Sequence, residues 1–281
     1  MKRFAAIIPF AIALLAGTLA FAQVAPVFRT PAIAPAQSVS ARHGMVVAQE
    51  GRAARIGVTI LDRGGNAVDA AVAVGFALAV TYPRAGNIGG GGFMVIHLAK
   101  PKHGKRDIAI DYREAAPAAA TPTMFLDAQG NPDPQKSRFS GLAVGVPGTV
   151  AGLALALDRY GSGKFTLADL LAPAIELAEQ GVRVDDDLAD SLPRARERLA
   201  RWPSSASIFL NGDETLQDGD RLLQFDLADT LKAIAKDGAG AFYQGRTAER
   251  IASAVREAGG IMTAEDLAHY KAVERPVVSG S

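Results

Sequence analysis

Cysteine is absent from the 281 residues of this chain. Disulfides, thiolate nucleophiles and thiolate metal ligands are therefore excluded. The four histidines lack the close spacing of a metal-binding motif such as H-E-x-x-H, and we interpret each as an ordinary surface or core residue. The sequence therefore predicts no metal site and no cofactor.

An excess of charge of either sign is also absent, because 30 Lys and Arg residues stand against 29 Asp and Glu residues and the charges are dispersed. Proteins that bind nucleic acid usually carry a strongly basic face, so nucleic acid is excluded as a partner. Dispersed charges give no support for binding at a membrane surface. The length and the 49% hydrophobic content suit one large globular domain or two modest ones.

The first residues have the pattern of a targeting segment. A short basic start precedes an apolar run over residues 4–22, and the small residues before and at Ala22 suit a signal peptidase. We predict a signal peptide over 1–22, a flexible lead-in over 23–40, and a domain over 41–281 that is periplasmic or secreted. The alternative, an N-terminal membrane anchor, fits less well because the run is about the minimum length for a span and contains proline and glycine.

A second apolar stretch, over residues 67–80, predicts a helix buried on all sides. Asn66 before it is a good N-cap, and Asp69 suits the positive end of the helix dipole. The stretch is too short to span a membrane. It therefore belongs to the core of a sizeable fold.

Two strands are predicted at 93–100 and 107–113, where Ile108, Ile110 and Tyr112 alternate as in a half-buried strand. A third short strand is predicted at Leu142–Val146. Few strands among many helices indicate the α+β class. The other helices are predicted at 50–65, 149–159, 167–179, 186–201, 227–236 and 247–258, with a short helical turn at 264–270.

A glycine-rich run occupies Gly86–Gly92. It lacks the Lys and hydroxyl residue of a P-loop, and it follows a helix and precedes a strand, which reverses the order of a dinucleotide-binding fingerprint. We therefore predict no nucleotide site. Consecutive residues without Cβ allow another chain segment to approach closely, as active sites often require.

Arg113 follows the second predicted strand, and two interpretations of it remain open. One is an internal ion pair with Asp111 or Glu114, since an unpaired buried charge is costly. The other is a bidentate clamp on a substrate carboxylate, for which Arg is well suited. The chain contains no G-x-S-x-G elbow and no other recognisable nucleophile arrangement, so we assign no catalytic residue to it.

Eight blocks of the sequence resemble, in order, the signature blocks of bacterial gamma-glutamyltransferases, also called gamma-glutamyltranspeptidases or glutathione hydrolases. Together they extend from about residue 41 to the end. The blocks are Gly44–Glu50, Gly64–Ala73, Ala85–Met94, Asp111–Pro117, Met124–Pro132, Pro147–Gly152, Thr263–Leu267 and Tyr270–Arg275.

The resemblance implies an N-terminal nucleophile hydrolase with an αββα four-layer sandwich, incomplete in this chain. Members of the family cut themselves into a large and a small subunit, and the new N-terminal Thr of the small subunit attacks the gamma-glutamyl amide. The resulting acyl-enzyme passes the glutamyl group to water or to an amino acid or peptide. The arginine of the family's D-[FY]-R-E block holds the substrate α-carboxylate, and Arg113 stands at that position. The implied partners are glutathione or other gamma-glutamyl small molecules and the small subunit.

The resemblance also implies that the catalytic Thr and the oxyanion-hole glycines lie beyond residue 281. We therefore expect this chain alone to be inactive, to contribute the scaffold and Arg113, and to expose apolar faces. Two alternatives stay open. The chain could be a truncated or complementing module without activity, or it could belong to a related acylase that cleaves glutaryl or other amides.

Overall fold

The computed structural model describes residues 38–280, so the predicted signal peptide (1–22) and most of the lead-in (23–40) lie outside the described residues. Residues from His43 onward form one compact unit. Its elements in chain order are α1 (Gly51–Asp62), α2 (Ala67–Thr81), β1 (Phe93–Lys102), β2 (Lys105–Asp111), α3 (Pro134–Phe139), α4 (Thr149–Tyr160), α5 (Leu167–Gln180), β3 (Val182–Arg183), α6 (Asp186–Ala200), α7 (Pro203–Phe209), β4 (Leu210–Asn211), β5 (Glu214–Thr215), β6 (Arg221–Leu222), α8 (Phe225–Asp237), α9 (Gly240–Tyr243), α10 (Gly245–Glu257), α11 (Ala264–His269) and β7 (Val273–Arg275).

Helix α2 is the centre of the core, and eleven of its fifteen residues are buried. Ala67 and Ala71 are exposed, so the predicted burial on all sides is met over most of the helix but not at these two positions. The Asn66 side chain caps it by accepting hydrogen bonds from the N–H groups of Val68 and Asp69. The fully buried Asp69 carboxylate accepts from the Asn66 N–H at 2.8 Å and from the Ser162 N–H at 3.1 Å. One carboxylate therefore caps α2 and fixes the loop that leads from α4 to α5. No helix between residues 38 and 280 is long and apolar enough to cross a membrane.

The main sheet has three antiparallel strands in the order β1-β2-β7. Ile96, Ile108 and Ile110 project from one face into the core that α2, α4 and α5 complete. The opposite face is open: Phe93 is 65% exposed and Val95 is 77% exposed. Exposed apolar area of this kind usually marks a contact surface, so the expectation of an open apolar face is met on this sheet.

The prediction of a third strand at Leu142–Val146 is wrong. The Ser140 hydroxyl accepts a hydrogen bond from the Leu142 N–H and starts a single 3₁₀ turn, and Val146 alone makes a β-bridge, with Ala115. A local side-chain bond to the backbone competed successfully with strand pairing. The short helices α3 and α7 escaped prediction, although proline at the first helical position is a known start signal.

Candidate active site

Arg113 lies two residues after the end of β2, and its backbone N–H is held by a neighbouring carboxylate. The N–H donates to Asp111 Oδ1 at 3.0 Å, while Asp111 Oδ2 pairs with Arg275 Nε at 2.5 Å. The Arg113 N–H and then the Arg275 guanidinium hold the pKa of Asp111 below its ordinary value of 3.8. Asp111 is therefore ionised at neutral pH and is engaged from two sides.

The rest of the Arg113 segment, residues 112–118, is fixed by helix α11 and by the bridge to Val146. The Tyr270 hydroxyl, just after α11, donates to the Arg113 carbonyl at 2.7 Å. At the start of α11, Asp266 accepts from the Ala118 N–H at 2.8 Å. Both backbone groups of Ala115 bond to Val146. The segment is thus held at several points, and little freedom of the backbone remains.

Glycines form a close-fitting cradle around Tyr112, the residue before Arg113. A Cβ at Gly91 or Gly148 would overlap the Tyr112 carbonyl oxygen, and one at Gly152 would overlap the Tyr112 side chain near its root. A Cβ at Gly92 would lie 3.0 Å from the Tyr112 ring. The expectation that the glycine-rich run permits close backbone approach is therefore confirmed at Gly91 and Gly92. Two further glycines, from the start of α4, complete the cradle.

The Arg113 guanidinium itself faces solvent. Its side chain is 66% exposed and forms an ion pair with Glu114 at 3.2 Å, so the expectation of a buried arginine is not met. Asp111, the other candidate partner, is instead paired with Arg275. A guanidinium has five N–H donors, so a carboxylate from another molecule can join Glu114 on the exposed side of Arg113.

Arg113 and Glu114 line one end of an open groove of about 560 Å³. Apolar side chains, among them Pro117, Phe125 and Val144, form its other walls. A guanidinium beside an apolar wall can recognise a small molecule that carries a carboxylate on an aliphatic chain. Within residues 38–280, no group of three or more His, Asp or Glu side chains is arranged to hold a metal ion.

The sequence indicated Arg113 but not the residues that support it. Tyr270 lies 157 positions away along the chain, and Arg275 lies 164 positions from Asp111. Both fall in a block that resembles the family, but no local pattern links them to Arg113. Only pairwise information across the fold could have found them.

The fold and the site define the class of protein. The chain is similar in structure to the gamma-glutamyltranspeptidase of Helicobacter pylori, with a TM-score of 0.82 and 47% sequence identity. The match covers 87% of this chain and 69% of that one. A more distant likeness, at TM-score 0.71 and 28% identity, is to a cephalosporin acylase from Bacillus halodurans and covers 88% of this chain and 47% of that one. The chain therefore has the fold of the N-terminal nucleophile hydrolases, represented in residues 38–280 by a three-stranded sheet with helices on its buried face and by two small two-stranded sheets.

The family follows from the sequence comparison. The family model described as Gamma-glutamyltranspeptidase matches residues 53–281, and the chain belongs to that family. Over 243 residues it is 53% identical to the glutathione hydrolase proenzyme of Escherichia coli (strain K12). The match covers 86% of this chain and 41% of that relative, so this chain spans about two fifths of the relative's length.

Proposed function

We propose that this chain is the large-subunit part of an enzyme that transfers or hydrolyses gamma-glutamyl groups of glutathione and similar amides, and that Arg113 binds the donor's α-carboxylate. The observation that carries the proposal is the exposed Arg113 guanidinium on a rigidly held backbone at the end of a groove. Gly91, Gly148 and Gly152 support that rigidity, because they leave no room for Tyr112 to move.

The bond-breaking groups belong, in this proposal, to a small subunit outside residues 1–281. The hydroxyl of its N-terminal Thr attacks the γ-carbonyl carbon, the amide C–N bond breaks, and the amine leaves with a proton. Water or an acceptor amine then takes the acyl group. In this scheme Arg113 acts by binding, because its charge pair with the α-carboxylate is present both in the bound substrate and in the transition state.

The test uses an assembled enzyme. The chain is co-expressed with the part of the Escherichia coli relative that follows the matched residues, and release of p-nitroaniline from γ-glutamyl-p-nitroanilide is measured. We expect Arg113→Lys to lose about 2–4 kcal/mol of transition-state stabilisation, or roughly 30- to 1,000-fold in kcat/KM, because a bidentate charge pair is lost.

Arg183→Lys is a matched control for this test. The Arg183 side chain is 69% exposed and pairs with Asp218 at 3.2 Å, so it matches the exposure and ion-pair distance of Arg113 outside the groove. We expect its kinetics to equal those of the parent enzyme. Unchanged kinetics in Arg113→Lys would refute the assignment of Arg113 as the carboxylate clamp. If the assembled parent enzyme released no p-nitroaniline, the proposed activity would be refuted and an inactive module would be favoured.

The likeness to a cephalosporin acylase favours one second candidate, an amide acylase with a different donor. Glutaryl and γ-glutamyl anilides share a terminal carboxylate but differ in the α-amino group. Arg113 can meet the carboxylate of either. Comparable kcat/KM values for both anilides would indicate the acylase, whereas a strong preference for the γ-glutamyl compound supports the proposed function.

Export also belongs to the proposal. The apolar run at residues 4–22 and the small residues up to Ala22 predict that a signal peptidase releases a protein that begins at Gln23. Mass spectrometry of the protein recovered from the periplasm or medium of an expressing cell checks this. An intact N-terminus on membrane-bound protein would support an anchor instead.

A further inference from the structure

Residues 270–275 hold both backbone groups of Arg113, the arginine that we propose binds the substrate carboxylate. The Arg113 N–H is bonded to Asp111, whose other carboxylate oxygen holds Arg275 at 2.5 Å. The Arg113 carbonyl accepts the Tyr270 hydroxyl at 2.7 Å. Residues 270–275 therefore hold the backbone from which the Arg113 side chain extends. None of these residues lines the groove beside the Arg113 guanidinium.

Tyr270 is itself held in place. Its ring stacks on Tyr243, with centroids 5.8 Å apart and planes inclined by 8°. The Tyr243 hydroxyl donates to the Pro147 carbonyl at 3.0 Å and accepts from the Ala151 N–H at 3.1 Å. The stacked pair thus connects the Arg113 carbonyl to the first turn of α4, which also carries two glycines of the cradle around Tyr112.

The Tyr270 hydroxyl stays a donor over a wide pH range. Burial, and then the nearby Asp111 and Glu114 carboxylates, raise its pKa to about 12. The Tyr270 hydroxyl therefore keeps the proton that it donates to the Arg113 carbonyl at neutral pH.

We propose that Tyr270 is a positioning residue for Arg113: its hydroxyl fixes the Arg113 carbonyl and so sets where the guanidinium meets the substrate carboxylate. The proposal rests on the proposed function. A displaced guanidinium meets the substrate carboxylate with poorer geometry, so a hydrogen bond to the backbone of Arg113 acts on substrate binding without touching the substrate. Arg275 assists through Asp111, which holds the N–H of the same residue.

The kinetic test compares two conservative variants in the assembled enzyme. Tyr270→Phe keeps the stacked ring and removes only the hydroxyl. We expect KM for γ-glutamyl-p-nitroanilide to rise about threefold to tenfold with kcat within twofold, because a carboxylate clamp acts equally in ground and transition state and one hydrogen bond is lost. Tyr82→Phe is the control, since Tyr82 lies at the end of α2 outside the groove and its change leaves KM within twofold.

A double variant separates positioning from a general structural effect. Once Arg113→Lys has removed the clamp, adding Tyr270→Phe is expected to raise KM no further, because both changes act on one contact. Additive effects of the two changes, an unchanged KM in Tyr270→Phe, or an equal rise in Tyr82→Phe would each overturn the proposal.

A second measurement needs no activity. Hydrogen exchange of residues 113–118 in the full chain is expected to be at least threefold faster in Tyr270→Phe than in the parent protein or in Tyr82→Phe, since the Arg113 carbonyl loses its bond. If the assembled parent enzyme releases no anilide, the proposed function fails and this exchange measurement decides the Tyr270–Arg113 link. Equal exchange in the parent and in Tyr270→Phe overturns the link whatever the kinetics show.

Discussion

The fit of Gly152 against Tyr112 gives the most demanding prediction. Gly152 lies in α4, where alanine would ordinarily stabilise a helix by about 1 kcal/mol. Here the new Cβ would overlap Cβ and Cγ of Tyr112. A change of rotamer cannot move the Tyr112 Cβ, so the backbone of α4 or of the Arg113 segment must shift.

Overpacking of this kind costs about 1–3 kcal/mol, and the need for backbone movement favours the upper end. After the helix gain of about 1 kcal/mol is subtracted, we expect Gly152→Ala to lower the free energy of unfolding by about 2 kcal/mol. For a domain of this size that corresponds to a fall in Tm of about 4–8 °C. The assay is thermal and urea unfolding followed by circular dichroism.

Gly240→Ala is the control for this prediction. Gly240 also begins a helix, α9, but a Cβ there would meet no atom within 4 Å. We expect that variant to be neutral or up to about 1 kcal/mol more stable. A Gly152→Ala protein as stable as the parent would refute the close fit of α4 on Tyr112. In the assembled enzyme, Gly152→Ala is also expected to raise KM, because Arg113 moves with Tyr112.

Two further predictions concern buried and paired carboxylates. Asp69→Ala should lower the free energy of unfolding by about 2–4 kcal/mol, because the N–H groups of Asn66 and Ser162 lose their acceptor. Urea unfolding checks this prediction, and a loss of stability below about 1 kcal/mol contradicts it. The Arg113 N–H and the Lys105 ammonium hold the pKa of Asp111 and of Glu274 below their ordinary values of 3.8 and 4.5. Since the unfolded chain then binds more protons, this stability is present above about pH 5 and is lost as the pH falls below 4.5 through the folded-state values. Urea midpoints at pH 7, 5 and 3 test this, and a midpoint unchanged at pH 3 contradicts it.

Local patterns in the sequence were enough for most of the long elements. The predicted helix at 149–159 is Thr149–Tyr160 in the structure, and the buried helix at 67–80 is Ala67–Thr81. The start of the second of these helices carries the cap that Asn66 and Asp69 predict. These features were predictable because helical periodicity and capping act over a few residues.

The predictions failed where a distant or competing contact decides. Leu142–Val146 has strand-like composition, but the Ser140 hydroxyl and a single bridge to Ala115 give it a turn. Arg113 was recognised from its block and Glu114 was one of its two candidate partners, while the exposure of Arg113 was not predicted. Propensity is a weak prior wherever side chains have an alternative hydrogen-bonding partner.

The sequence by itself determined the family, the arginine that we propose as the carboxylate clamp, and the glycines that permit close approach. Only the tertiary structure showed that those glycines pack against Tyr112 and that Tyr270 and Asp111 hold the backbone of Arg113. The bond from Tyr270 to the Arg113 carbonyl joins residues 157 positions apart, and the cradle around Tyr112 takes glycines from two separate segments. The physical reason is the sequence separation of the interacting residues. Helix caps and periodicity depend on residues that are neighbours in sequence, whereas a contact between distant segments forms only when the chain folds and closes the loop between them.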